Sequence, residues 1–226
     1  MGVNKQSESE WWSEQRIITI LTDSDSWILP WAERLAFSIN ENGDRAEVIY
    51  DIGKVKTGHI CFIIGCTRIL PNKILGKNKK NLIVHESDLP FGRGFAPLTW
   101  QILEGVNTIP VCLIEAEAKT DEGPIVYKDT IEFEGHELCQ ELRAAQGSKT
   151  IDLCQRYLGS KKIPIATAQL GESTYYKRRK PVDSELDISR PIRDQLNLLR
   201  VVDNERYPAF FYAHGQKYKL TIEKTI

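Results

Sequence analysis

No stretch of this 226-residue chain approaches the roughly 20 consecutive apolar residues that a membrane-crossing helix needs, which excludes a helical membrane protein. Cysteine is scarce and unpaired. The five residues Cys61, Cys66, Cys112, Cys139 and Cys154 make an odd count without a CxxC pair, and most lie inside apolar runs, where cysteine acts as a small buried hydrophobe. Cys61 and Cys66 have metal-like proximity, but no matching Cys/His pair follows, so neither a disulfide framework nor a metal site is expected. Net charge is also nearly absent: 30 Lys and Arg stand against 31 Asp and Glu, leaving no basic field to draw nucleic acid. The segment from Met1 to Gln15 has no apolar core of the kind a signal peptide carries. The expectation is a reduced, cytoplasmic, soluble protein with neither a nucleic-acid nor a membrane partner.

What is present suits a globular domain. At 41% hydrophobic and 27% charged residues, the chain can bury a sizeable core. Arg16–Thr22 reads as a first strand, followed by a helix from about Pro30 to Asn42 with Trp31, Leu35 and Ile39 on one face and Gly43 as its stop. Further strands are expected at Glu47–Tyr50, Ile60–Gly65, Asn81–His85, Ile109–Ala116 and Pro124–Phe133, and a short helix at Ala96–Gly105. Continuous apolar runs of this kind mark parallel strands covered on both faces. Glu137–Leu158 has a helical pattern with a break expected near Gly147, Lys177–Pro181 reads as a charged connection, and Ser189–Val201 as a last helix. Ala209–Ile222 reads as a hairpin turning at His214-Gly215-Gln216. The expected fold class is α/β: an open, mostly parallel, Rossmann-like sheet with a small C-terminal helix and β-hairpin. The expected organisation is a polar tail over 1–15, a catalytic domain over 16–175, and an extension over 176–226 packed on it.

Chemistry concentrates between Asn81 and Lys128. Of four histidines, His85 alone ends an apolar strand, and ligands of open α/β sheets sit beyond the carboxyl ends of strands. The plain alternative is a buried histidine hydrogen-bonded at a strand end. Two glycines flank Arg93 in the loop that follows, which lets backbone approach a ligand closely. Asp121-Glu122-Gly123-Pro124-Ile125 makes an acidic turn that composition alone does not distinguish from any other.

These residues also carry a resemblance. His85-Glu86-Ser87-Asp88-Leu89-Pro90, then Gly92-Arg93-Gly94, Pro97, Trp100-Gln101-Ile102 with Gly105, and Asp121 through Ile125 follow in the order and spacing of the N-10-formyltetrahydrofolate-dependent formyltransferases. Arg179, Asp183, Asp187, Leu199-Arg200 and Tyr207 through Phe211 extend the match, so it covers nearly the whole chain from Arg16. The resemblance implies the formyltransferase fold, N-10-formyltetrahydrofolate as formyl donor, and catalysis by His85 as base with Asp121 orienting its ring. An imidazole suits the base because it titrates near neutrality. The resemblance places the folate along Ser87, Asp88, Leu89, Pro90, Arg93 and Gly94 and beside Gly123, and gives Arg68 and Arg179 to the second substrate. Arg93 stands equally as a folate or phosphate ligand and as a solvated loop residue. The run Lys177-Arg178-Arg179-Lys180, after Tyr175-Tyr176, offers cations for a diphosphate.

Within the family the wording is most similar to enzymes that formylate nucleotide-linked amino sugars, in particular UDP-linked 4-amino-4,6-dideoxy sugars of surface-glycan pathways. The implied partners are a reduced folate and a nucleotide sugar, with a homodimer left open. Methionyl-tRNA formyltransferases carry a further C-terminal barrel that this sequence is not expected to have. Glycinamide ribonucleotide or an aminoacyl group remain alternative acceptors. One departure stands out. The family has an asparagine two residues before the histidine to steady the oxyanion, and Ile83 occupies that position here. A folate-binding protein without catalysis is therefore a further alternative, opposed by the presence of both His85 and Asp121.

Overall fold

The computed structural model describes residues 10–225; residues 1–9 of the expected tail lie outside the described residues. In chain order the elements are β1 (Ile17–Leu21), α1 (Leu29–Glu41), β2 (Arg45–Ile49), β3 (Gly58–Ile63), α2 (Asn72–Leu75), β4 (Asn78–His85), β5 (Arg93–Gly94), α3 (Pro97–Leu103), β6 (Thr108–Glu115), β7 (Ile125–Glu132), α4 (Cys139–Leu158), β8 (Tyr175–Tyr176), α5 (Leu196–Val201), β9 (Ala209–Ala213) and β10 (Gln216–Leu220). Six strands form the central sheet in the order β2-β1-β3-β4-β6-β7. Strands β1 to β4 are mutually parallel, and β6 runs antiparallel to both neighbours. The apolar runs thus give the mostly parallel sheet expected of them.

Period-two alternation divides the sheet into two faces. Ile18, Ile20, Ile60, Phe62, Leu82 and Leu113 pack beneath α1 and α4. On the other face Leu21, Cys61 and Ile63 pack with Ile74 of α2, and Ile83 joins both this group and Leu89, Cys112 and Ile114. Burial of Cys61 pushes its thiol up to about 12, so it is an inert core residue rather than a nucleophile. Among the described residues no helix is long and apolar enough to cross a membrane.

Four departures from the sequence expectation have physical causes. Trp11 and Trp12 do not belong to a solvated tail. They are 6% and 7% exposed, and the Trp12 indole N–H donates to the Ser160 carbonyl at 2.8 Å. The helix α4 is unbroken at Gly147, because that residue faces the Trp31 ring, whose atoms would lie 2.5 Å from any added Cβ. Its glycine serves helix-to-helix approach and not a break. The last helix is only Leu196–Val201, since Pro191 keeps Arg190 out of helical geometry and a 3-10 turn over Ile192–Gln195 intervenes. Finally, the boundary expected at 175/176 falls inside β8, which pairs in parallel with β5: Arg93 opposite Tyr175 and Gly94 opposite Tyr176. The C-terminal hairpin β9–β10 turns at His214-Gly215, both at positive φ, as a two-residue hairpin turn requires.

Candidate active site

His85 is the last residue of β4 and shares a sheet face with Ile83. Its neighbour Glu86 therefore points the other way, into the helical layer beside Gln146 of α4, where burial pushes its carboxyl above the usual carboxylate range. His85 itself is 5% exposed. Its Nε2 lies 2.8 Å from the Gly92 carbonyl oxygen, and its Nδ1 lies 3.6 Å from Asp121 Oδ2. Acceptors thus face both ring nitrogens. With Nε2–H donating to Gly92, the remaining lone pair sits on Nδ1, toward Asp121. A proton accepted there arrives between the ring and the buried Asp121 carboxylate.

The acidic turn that carries Asp121 is not an ordinary surface turn. It links β6 to β7 and folds back against the end of β6, so closely that a Cβ on Gly123 would overlap the Glu115 carbonyl. Asp121 adopts φ 54°, a left-handed conformation that aspartate tolerates better than most residues. This turn sends the carboxylate inward, where Oδ2 accepts the Gly94 N–H at 2.9 Å while facing His85. Gly94 can meet it because its own φ is 99° and a side chain there would strike the Tyr176 backbone across the β5–β8 pair.

The loop between β4 and α3 is tied down almost completely by its own backbone. Ser87 N–H donates to the His85 carbonyl, Phe91 to Asp88, Gly92 to Thr174 Oγ1, Arg93 to Thr174 and Phe95 to Tyr176. The N–H groups from Phe91 to Phe95 are therefore spent, that of Gly94 on Asp121. The Ser87 hydroxyl is buried and meets no partner among the described residues. Leu89 and Pro90 are buried, Leu89 against Cys112 and Ile114, whereas Asp88 is exposed and pairs with Lys128 at 2.6 Å.

Three arginines were expected at ligands, and the structure uses two of them otherwise. Arg93 is buried and its guanidinium is engaged by Gln169 Oε1 (2.7 Å from Nη2), the Tyr175 hydroxyl (3.2 Å) and Glu122 (3.2 Å). It braces the Asp121 turn and is not free for a folate carboxylate or a phosphate. Arg179 is turned inward, donating to the Asp183 carbonyl and the Ser184 hydroxyl, both at 3.1 Å, which fixes the 3-10 turn over Pro181–Ser184. Arg68 alone stays on the surface, in the loop after β3, held by Asp23 (3.3 Å) and the Tyr50 carbonyl (3.0 Å) at the carboxyl ends of β1 and β2.

His85, Asp121, Arg93, Gly94 and Gly123 come together in one cluster. Sequence reading missed Gln169 and Thr174, which complete it. Both lie in the irregular stretch between α4 and β8, where no periodicity or motif marks them, and only their three-dimensional partners reveal them.

Comparison with known proteins places this geometry in context. A model of the formyl transferase family (Formyl_trans_N) matches residues 33–149, a span that includes His85, the loop after it and Asp121. A methionyl-tRNA formyltransferase from Clostridium thermocellum is 22% identical, with 93% of each chain covered and a TM-score of 0.78. A 4-N formyltransferase from Francisella tularensis is 17% identical, with 94% of this chain and 99% of that one covered and a TM-score of 0.69. HypX from Aquifex aeolicus, solved in complex with tetrahydrofolic acid, is 16% identical over 90% of this chain and 37% of its own, with a TM-score of 0.70.

Proposed function

We propose, for a chain that belongs to the formyl transferase family, that the amine it formylates is the 4-amino group of a UDP-linked 4-amino-4,6-dideoxy sugar. The protein is an N-formyltransferase whose formyl donor is N-10-formyltetrahydrofolate. The observation that carries its mechanism is the buried pair of His85 Nδ1 and Asp121 Oδ2 at 3.6 Å. The free amine attacks the formyl carbon, forming the new C–N bond and a tetrahedral centre. His85 takes the proton that the amine loses. Collapse of the tetrahedral centre breaks the bond to the folate N10, and the same proton passes to that nitrogen, so tetrahydrofolate leaves neutral at N10. Asp121 holds the imidazolium between these two steps. Folate lies along the loop from Asp88 to Gly94, and Arg68 at the strand ends is the one of the three expected arginines that stays on the surface, toward a diphosphate.

Two features support a sugar acceptor: the similarity of the Arg179–Asp187 wording to sugar enzymes, and the near end-to-end match to the Francisella 4-N formyltransferase. The match to the Clostridium enzyme supports initiator methionyl-tRNA as a second reading. Both are separated by one experiment, in which purified protein receives N-10-formyltetrahydrofolate and either a panel of UDP- and dTDP-linked amino sugars or methionyl-tRNA, and release of tetrahydrofolate is followed. Turnover with a 4-amino sugar nucleotide and none with tRNA is expected; the reverse pattern overturns the assignment of the acceptor. Under the same conditions His85→Ala and Asp121→Ala should each lower turnover by at least about 10² while the protein stays folded, the scale of losing a positioned base. Near-normal turnover in either variant removes that residue from the mechanism.

A further inference from the structure

Gln169 comes from the irregular segment between α4 and β8, outside the span shared with the family model. All of its hydrogen-bonding capacity points at the Asp121 turn. Its Nε2 donates to the Asp121 carbonyl at 2.7 Å and to the Gly123 carbonyl at 2.8 Å, and its Oε1 accepts from Arg93 Nη2 at 2.7 Å and Nε at 3.3 Å. An amide has two N–H donors and one carbonyl acceptor, so every group it offers is used. Arg93 in turn reaches Glu122, the residue between the two carbonyls that Gln169 holds. The backbone of Asp121 to Gly123 is therefore gripped on both carbonyls by one side chain, and from its middle residue by a second that the first one orients.

That grip coincides with the one strained aspartate of the site. Asp121 sits at φ 54°, a conformation that a non-glycine residue keeps only where its surroundings over-determine it. Rotation of this residue back to the ordinary region would carry its carboxylate away from both Gly94 and His85. We propose that Gln169 is a positioning residue for the transfer reaction: it holds the left-handed turn that aims the Asp121 carboxylate at His85. The inference rests on the role given above to Asp121, and its consequences differ from those of that role.

The pair of substitutions Gln169→Glu and Gln169→Ala separates a positioning role from a merely structural one. The glutamate keeps an acceptor for Arg93 but sets oxygen against the two carbonyls, whereas alanine removes both functions. With the amine that turns over best in the panel above, both variants should lose about tenfold or more in kcat, as expected when a reacting group is misplaced by a fraction of an ångström to 1 Å. KM for each substrate should stay within about twofold. If Gln169 acts through Asp121, then adding Gln169→Glu to Asp121→Ala should cost nothing further. Full turnover in Gln169→Glu, an additive loss in the double variant, or a loss confined to KM each overturns the proposal. Should the double variant be too slow to time, the split between kcat and KM in Gln169→Glu decides alone. A different failure belongs to the earlier reading: if Asp121→Ala itself turns over normally, Asp121 is not in the mechanism, whatever Gln169 does.

Discussion

Asn81 stands four residues before His85 on the same face of β4, near enough in sequence to be considered in place of the missing oxyanion donor. Its geometry points elsewhere. Nδ2 donates to the Leu75 carbonyl at 2.8 Å, at the end of α2, and Ile83 fills the space between Asn81 and His85 by packing with Leu89, Cys112 and Ile114. At about 3.3 Å of rise per residue, four positions along a strand span about 13 Å, too far for one carbonyl oxygen to be shared. Asn81→Ala should therefore cost less than about tenfold in turnover, measured as tetrahydrofolate release. A loss of about 10²–10³, the usual effect of removing an oxyanion donor, would show that Asn81 reaches the reacting carbon after all. The N–H groups from Phe91 to Phe95 are likewise engaged, whereas the buried Ser87 hydroxyl has no partner among the described residues.

Among the elements, α4 shows best what a sequence conveys and what it withholds. Its ends follow closely from the apolar spacing after Glu137, and so do those of α1, whereas the strands of the central sheet are legible in place but differ by up to three residues at their ends: β2 and β3 begin two residues before the expected start and β4 three. Gly147 misleads because its function is tertiary: glycine suggests a break when only neighbours in sequence are known, but here it admits the Trp31 ring. Gly147→Ala tests this. The substitution favours the helix by about 0.5–1 kcal/mol, yet it sets a methyl against the indole, and overpacking of this kind costs about 1–3 kcal/mol. A net fall in stability on chemical denaturation is expected, whereas a rise would show that Trp31 moves aside freely. The β5–β8 pair was illegible for a related reason. Two residues on each side carry no pattern, and their partners lie 82 positions apart. His85 and Asp121 were readable because their spacing follows a family, while Gln169 and the inward turns of Arg93 and Arg179 follow from packing that no local pattern records.

Across the whole molecule, the C-terminal part is joined to the sheet through charge as well as through apolar contact. Arg200 of α5, 1% exposed, reaches Asn107 ahead of β6 at 2.9 Å and Glu137 ahead of α4 at 3.2 Å. Burial alone would raise the Glu137 carboxyl, but the N–H groups of Glu134 and Gly135 that it accepts outweigh this and bring it down to about 2. A carboxyl depressed in the folded state contributes stability that is complete above its ordinary value near 4.5 and is lost as the pH falls through its folded value. Denaturation midpoints recorded from pH 6 down to about pH 2 should therefore fall more steeply for the parent protein than for Glu137→Gln. Parallel curves would remove Glu137 from the acid response.

The pairing of Thr174, Tyr175 and Tyr176 with the loop after His85 also has a consequence for the order in which the protein comes into being. Synthesis is vectorial, and every strand of the central sheet has been made once Glu132 is added. A nascent chain that has emerged as far as Leu158 holds the sheet, α1 and α4, but Gly92, Arg93 and the carbonyls of Asp121 and Gly123 still lack the partners that Gln169 and Thr174 provide. In chain order, therefore, the whole sheet precedes Gln169 and Thr174, the two residues that complete the cluster around His85 and Asp121.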